Sequence, residues 1–266
     1  MPGLTIIPSL LSPEVQLELL SRMFHRDLSK PQHKTNIDLH YHLNRPPQEM
    51  SFFDLDPAGM INPKDPCAHK VLSIQQLLNK KLRWMTLGGQ YDWTNKVYPE
   101  GQPPPFPKDI TELLSGLFPE TTAEAAIVNL YSPGDTLSLH RDVSEECDRG
   151  LISISIGCDC LFMLGLERPD TVDEATSGEL SDKEPRTKVD YLVLRLRSGD
   201  AVYMAGASRF AWHGVPIVIP STCPPELSSW PANEAAGDDG HDGMYATWRN
   251  WMSTKRINLN VRQMKA

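Results

Sequence analysis

The chain has 266 residues, of which 40% are hydrophobic and 23% charged, and a formal charge of −8. That composition argues against a disordered chain, and no run approaches the roughly 20 apolar residues that span a bilayer. The opening M-P-G-L-T-I-I-P-S-L-L-S-P-E has neither the basic start of a secretory signal nor the arginines of a transit peptide. Five cysteines without a C-x-x-C pair argue against a disulfide framework or a zinc ribbon. The expectation is an intracellular chain with buried free thiols and no membrane partner, in nucleus or cytoplasm, the mitochondrion left open.

The acidity is concentrated in two stretches. Residues 167–190 carry −4 and residues 226–242 carry −5, which leaves +1 for the remainder. Residues 63–98 carry +4, and the tail after Asp242 has five Lys or Arg and no acid. A basic surface therefore remains available to a polyanion despite the net charge. Lys80, Lys81 and Arg83 are its candidates, against the plainer reading of a solvated helix face.

In chain order, Ser12-Pro13-Glu14 has the form of an N-cap, a first-turn proline and a dipole-favoured acid, and Val15 to Met23 has helical apolar spacing. A second helix is predicted over Lys70 to Arg83, with Leu72, Gln76 and Lys80 on one face. A third is predicted from Lys108 to about Phe118. Between them L-G-G-Q-Y-D-W-T-N-K-V-Y is turn-rich and aromatic, and G-Q-P-P-P-F-P cannot be regular structure. From Ala126 the texture becomes β-type in eight short runs: Ala126–Tyr131, Leu137–Arg141, Leu151–Ile156, Cys160–Leu164, Leu192–Leu196, Ala201–Met204, Ala211–Ile219 and Arg256–Gln263. Eight short strands suggest a jelly roll. The predicted class is α+β, with a jelly-roll (double-stranded β-helix) core and N-terminal helices packed on one sheet. Residues 1–125 form a helical and lid-bearing extension and 126–266 the barrel, with acidic insertions at 166–190 and 220–250.

His140-Arg141-Asp142 is an H-x-D at the end of a predicted strand, where residues i and i+2 point the same way. The imidazole and the carboxylate can converge while Arg141 faces away, and His213 in W-H-G-V can supply a third ligand. Two His and one carboxylate on one face leave open positions, an arrangement that suits non-haem Fe(II). The closing R-I-N-L-N-V-R alternates Arg256, Asn258, Asn260 and Arg262 with Ile257, Leu259 and Val261. Periodicity alone fits a half-buried strand with its polar side in water. The alternative turns that side into the barrel mouth, where two guanidiniums about 20 Å apart along the strand curve toward the ends of a small dicarboxylate.

With these residues assembled, the sequence resembles the AlkB family of Fe(II)/2-oxoglutarate dioxygenases. The likeness is carried by N-L-Y-S-P-G-D-T-L-S-L-H-R-D, I-S-I-S-I-G with L-F-M-L-G, G-D-A-V-Y-M-A-G-A-S-R-F-A-W-H-G-V and R-I-N-L-N-V-R-Q, in order. The stretch L-G-G-Q-Y-D-W-T-N-K-V-Y-P and the H-R-D-V-S-E block look most like the eukaryotic homologue-one branch. The resemblance implies Fe(II), 2-oxoglutarate and O₂, with His140, Asp142 and His213 as iron ligands. It implies Arg256 at the distal carboxylate of 2-oxoglutarate with Tyr131 nearby, Arg262 and Asn129 near the other carboxylate, Asn258 on the same strand, and Arg209 in support. Bacterial members carry a base-reading acid two positions after the liganding Asp; here Ser144 stands there, with Glu145 next. The insertion at 166–190 is longer than the family pattern.

The implied activity is oxidative demethylation of an N-methylated base in tRNA or DNA, yielding formaldehyde, succinate and CO₂, by a monomer. A duplex substrate would need its base flipped, at a cost of a few kcal/mol. Tyr91 and Trp93 are candidates to stack on that base, or else aromatics that pack the helical layer onto the barrel. The alternatives are a hydroxylase or demethylase of a protein or small molecule, and a binding barrel without catalysis. Salt-sensitive nucleic-acid binding separates the first reading from the second.

Overall fold

Alternation decides the architecture. The computed structural model describes residues 1–168, 188–232 and 243–265, and its strands run in chain order as β1 (Leu4–Ile7), β2 (Met60–Ile61), β3 (Leu72–Ser73), β4 (Trp84–Gly88), β5 (Ala125–Tyr131) and β6 (Leu137–His140). The later ones are β7 (Leu151–Gly157), β8 (Cys160–Arg168), β9 (Lys188–Leu196), β10 (Ala201–Met204), β11 (Trp212–Val218) and β12 (Arg256–Arg262). A six-stranded sheet of order β1-β10-β7-β12-β5-β4 faces a four-stranded sheet of order β6-β11-β8-β9, and β2 pairs with β3 apart from both. Every pairing between these strands is antiparallel. This is the jelly roll that the strand count suggested.

β12 lies between β7 and β5, so both of its edges are paired, and all of its residues but the half-buried Asn260 are buried. Ile257, Leu259 and Val261 are fully buried with Ile152, Ile154 and Ile156 of β7 and Val128 of β5, in the core under the helices Pro13–Ser21 and Lys108–Leu117. Each such side chain contributes about 2 kcal/mol by leaving water. The opposite face turns Arg256, Asn258 and Arg262 inward, all buried. The half-solvated strand that periodicity alone fits is thus not what forms. A second apolar cluster, including Leu151, Phe162, Leu164, Val202 and Val215, fills the space between the sheets.

The N-terminal segment departs from expectation. β1 and β4 form the two edges of the six-stranded sheet, so a boundary at residue 125 does not divide the barrel. The helix predicted over Lys70 to Arg83 begins only at Ile74, because Leu72 and Ser73 pair with Ile61 and Met60. Ser73 caps it, accepting from the Gln76 amide while the Gln76 side chain accepts from Ser73 N–H. It widens at Leu77–Lys81, where Leu82 N–H reaches back to Leu77 O. Ser12 stands at the first helix's N-cap, but its hydroxyl accepts from no helix amide. The thiol of Cys67 is exposed, unlike the buried Cys147, Cys158 and Cys160.

The expected insertion at 166–190 is shorter than drawn, since β8 and β9 pair out to Arg168 opposite Lys188; its residues 169–187 lie outside the described residues. Within the expected 220–250 insertion, Pro225–Ser228 is a helical turn and Ala246–Trp248 a 3₁₀ turn, while residues 233–242 lie outside the described residues. Among the described residues no helix is long and apolar enough to cross a membrane.

The turn from β7 to β8 sets where β12 begins. Gly157 has φ +90°, and a Cβ there would lie 2.4 Å from the Lys255 carbonyl oxygen. Gly157→Ala should therefore cost about 2 kcal/mol or more in backbone strain. The expected readout is a melting temperature lower by roughly 4–8 °C in calorimetry. An unchanged melting temperature would show that this turn relaxes without cost.

Candidate metal and co-substrate site

His140 ends β6 and His213 is the second residue of β11, and the two are direct partners in the antiparallel ladder. Their rings lie 4.4 Å apart between centroids. Asp142 follows two residues after His140, with its Oδ1 3.7 Å from His140 Nε2. One ligand atom from each of the three lies within 4.8 Å of the others. Both imidazoles bond through Nδ1 to a carbonyl, His140 to Ser138 O at 2.9 Å and His213 to Ala211 O at 3.0 Å. A carbonyl fixes the Nδ1–H tautomer and leaves each Nε2 with a lone pair toward the cluster.

The ionisation states suit a cation. Burial keeps His213 neutral, lowering its pKa against the opposing pull of Asp142. For Asp142, burial acts to raise the pKa, but opposing electrostatics, the Arg262 guanidinium foremost, outweigh it and hold the carboxyl at about 2. A carboxylate and a neutral imidazole are ready ligands without prior deprotonation.

Asp142 is held on three sides. Its Oδ2 accepts from Arg262 Nη2 at 2.9 Å and from Asn260 Nδ2 at 3.3 Å. Its main-chain oxygen accepts from Arg209 Nη1 at 2.8 Å. Arg209 also donates to Arg149 O and to Glu145 Oε2, each at 2.9 Å. The side chains of Arg209 and Glu145 are both 1% exposed, and Arg262 Nη1 stands 3.3 Å from Glu145 Oε1. Glu145 lines the cavity with its carboxylate between two guanidiniums: Oε2 accepts from Arg209, while Oε1 stands near Arg262 without a hydrogen bond. The Nη groups of Arg262 likewise turn to Asp142, Glu145 and, at 3.3 Å, the Tyr98 hydroxyl. That arginine supports the carboxylate ligand, and it lines the cavity with its Nε unpartnered among the described residues.

At the other end of β12, Arg256 is 1% exposed. Its Nη2 donates to Ser155 Oγ at 3.0 Å and its guanidinium carbon lies 5.1 Å from the Tyr131 ring centre. Its Nε and Nη1 are buried without any acceptor among the described residues. A buried guanidinium with unused donors is costly unless an anion completes it. The chain thus fits both groups that the sequence pointed to: a divalent metal on His140, Asp142 and His213, and a carboxylate on Arg256.

These side chains line one cavity of about 520 Å³ between the sheets. Asn129, Tyr131 and Asn258 line it too, and Asn258 donates to Ser153 Oγ at 2.8 Å and Ile154 O at 3.1 Å. At its mouth stand Tyr91, Trp93 and Ser144, with Tyr91 and Ser144 hydroxyls 3.2 Å apart. Trp93 packs edge-on to Tyr91 at 4.9 Å and tilted on Trp84 at 4.8 Å. The aromatic pair lines the cavity while Trp93 also packs on Trp84. Sequence reading missed Ser153, Ser155 and Tyr98. The alternation in I-S-I-S-I carries the signal for the two serines, since it places both beside the polar stripe of β12.

The sequence matches the family described as the 2OG-Fe(II) oxygenase superfamily over residues 3–262. It is 51% identical over 281 residues to a Pyricularia oryzae protein named N6-methyladenosine RNA demethylase ALKB1, covering 100% of this chain and 75% of that relative. It is 38% identical over 274 residues to the Schizosaccharomyces pombe tRNA demethylase abh1, covering 99% of this chain and 80% of that relative. The solved structure of OsALKBH1 shares the fold with TM-score 0.55 at 18% identity, over 99% of this chain and 97% of its own. The chain belongs to the 2OG-Fe(II) oxygenase superfamily, the enzymes that use Fe(II), 2-oxoglutarate and O₂.

Proposed function

We propose that the chain removes N-methyl groups from bases in nucleic acid by oxidation, releasing formaldehyde, succinate and CO₂. The observation that carries this reading is the single cavity in which an aromatic mouth opens onto the histidine–carboxylate cluster. The names of the relatives, RNA and tRNA demethylases, support the substrate class. When bound, Fe(II) and 2-oxoglutarate supply the oxidation of a C–H bond by O₂, with the co-substrate lost as succinate and CO₂.

The chain's own residues do the rest. His140, Asp142 and His213 hold the metal, and Arg262, Asn260 and Arg209 fix the carboxylate so that Oδ1 faces the imidazoles. Arg256 takes the distal carboxylate of 2-oxoglutarate against Ser155 and Tyr131. Tyr91 and Trp93 provide faces on which a base can stack, worth about 1–3 kcal/mol per base. The Ser144 hydroxyl, tied to Tyr91, stands where an extruded base would meet its first polar contact. Of the basic run singled out in the sequence, Arg83 is paired with Asp135 and is not free for phosphate.

Incubating methylated RNA and DNA oligonucleotides with the protein, Fe(II) and 2-oxoglutarate should give products lighter by a methyl group in mass spectrometry. His140→Ala or Asp142→Ala should abolish that product and succinate formation alike. Succinate formation without any nucleic-acid product would move a protein or small-molecule substrate to first place.

Arg256→Lys keeps the charge but loses the planar fork. The KM for 2-oxoglutarate should rise at least about ten-fold, the worth of one lost charge-assisted hydrogen bond, while metal binding by calorimetry stays unchanged. An unaltered KM would remove Arg256 from the co-substrate site.

Glu145→Gln should act differently from a base-reading change. It leaves Arg209 and Arg262 short of a buried anion, which costs about 3–5 kcal/mol of stability. The expected signature is a lowered melting temperature with little change in discrimination among methylated bases. Altered base preference at unchanged stability would restore Glu145 to the substrate face.

A further inference from the structure

β12 links the cavity between the sheets to a second one. It ends at the contact of Arg262 with Asp142 and begins just after Lys255, which lines a separate cavity of about 330 Å³. At roughly 3.3 Å per residue the two ends of the strand are about 20 Å apart. The second cavity lies between the turns around Lys80 and Arg249 and contributes nothing to the first.

Its charge is anomalous. The whole chain has 34 acidic and 26 basic residues, yet this lining holds Lys80, Arg249 and Lys255 and no Asp or Glu. Gln75, Asn79 and Asn250 add amide groups, and Thr247 and Thr254 add hydroxyls. Lys80 and Arg249 are exposed, and neither has an acidic partner among the described residues.

Lys255 is only 4% exposed. Its ammonium donates to Asn79 O at 2.7 Å and Ser132 Oγ at 3.0 Å and lies 5.0 Å from the Trp251 ring centre. An ammonium has three N–H donors, and the third has no acceptor among the described residues. Burial, opposed by Asp135 and assisted by Arg83, brings its pKa down to about 8. Asp135, the acid that acts on it, is itself paired with Arg83. A buried cation beside two free ones, with no acid in the lining, is a setting that favours an anion.

We propose that this cavity binds a phosphate group, with Lys80 and Arg249 reaching it from the rim and Lys255 from the floor. Several cations around a tetrahedral anion, with amides and hydroxyls between them, can engage more oxygens than a planar carboxylate offers. The phosphate has two possible sources. One is the backbone of a nucleic acid whose base sits in the mouth of the other cavity, which rests on the function proposed above. The other is free phosphate or a phosphomonoester, which does not. Lys255 adds a dependence on pH: an anion favours its protonated form, so binding weakens as pH rises through about 8.

The test compares wild type with a Lys80→Glu/Arg249→Glu double variant, with Lys108→Glu as a charge control outside the cavity. Two probes are used: inorganic phosphate, read by the shift in melting temperature, and labelled single-stranded RNA, read by polarisation. Phosphate should stabilise wild type and Lys108→Glu but not the double variant. If the source is the nucleic-acid backbone, RNA affinity should also fall about ten-fold in the double variant, more than in Lys108→Glu, with a smaller salt dependence. Loss of the phosphate response alone assigns the site to free phosphate. Between pH 7 and pH 9 the wild-type response should fall relative to that of Lys255→Met, which meets the same phosphate species without the titrating ammonium. Equal responses of the double variant and wild type to both probes overturn the proposal, as does an equal loss in Lys108→Glu. Should wild type bind no RNA at all, the nucleic-acid reading fails while the phosphate arm still decides the cavity.

Discussion

Four charged side chains buried within one another's reach hold the site together: Arg209, Glu145, Arg262 and Asp142. Each would cost several kcal/mol to desolvate alone, so each persists only because the others are present. The pairing ties the 3₁₀ turn Gly206–Phe210, the segment after β6 and the end of β12 into one unit. Asp142 is the member that also faces the histidines. Its orientation and the direction of Oδ1 follow from Arg262 and Asn260 occupying Oδ2, and the Arg262 charge is the largest influence lowering its pKa to about 2. A carboxylate so constrained loses little freedom on meeting a cation, which is the physical content of a prepared ligand set.

The same strand supplies both the apolar and the polar halves of this arrangement. With β12 in the interior of the six-stranded sheet, Leu259 packs under the helices while Asn258 and Asn260 point between the sheets. The pleat therefore converts one short sequence into a floor for the core and a wall for the cavity. Ser153 and Ser155 on β7 give the wall its hydrogen-bonding counterpart, since an apolar residue there would leave Asn258 and Arg256 without their nearest acceptors.

The strands of the barrel were legible because period-2 alternation and turn residues are local signals. Ala201–Met204 is found at its predicted bounds, and the other seven are found within a few residues. β1 and β4 were not legible: each becomes a strand only by pairing with a distant partner, Leu4 with Met204 and Trp84 with Asn129. The same effect shortened the helix predicted from Lys70, where a two-residue pairing with Met60 and Ile61 took the residues that helical spacing had claimed. At the site, His140, Asp142 and His213 are brought together as their spacing suggested. The partners of Glu145 were invisible, because a lone acid after H-x-D carries no sign that Arg209 and Arg262 converge on it. Proximity in sequence suggested a substrate contact; the fold adds an ion-pair network around it.

Charge placement gives the last constraint. Asp142 and Glu145 are the acids lining the cavity between the sheets, and both are engaged by arginines that are buried with them. That leaves Arg256 as a buried cation with two donors unanswered. The cavity is thus electrostatically incomplete at its deep end and nearly balanced at the metal end. On the function proposed above, a dianionic co-substrate would enter with one polarity, its far carboxylate on Arg256. The same cavity is lined by Tyr91 and Trp93, so a buried cation would orient the small molecule while aromatic faces would meet the larger substrate.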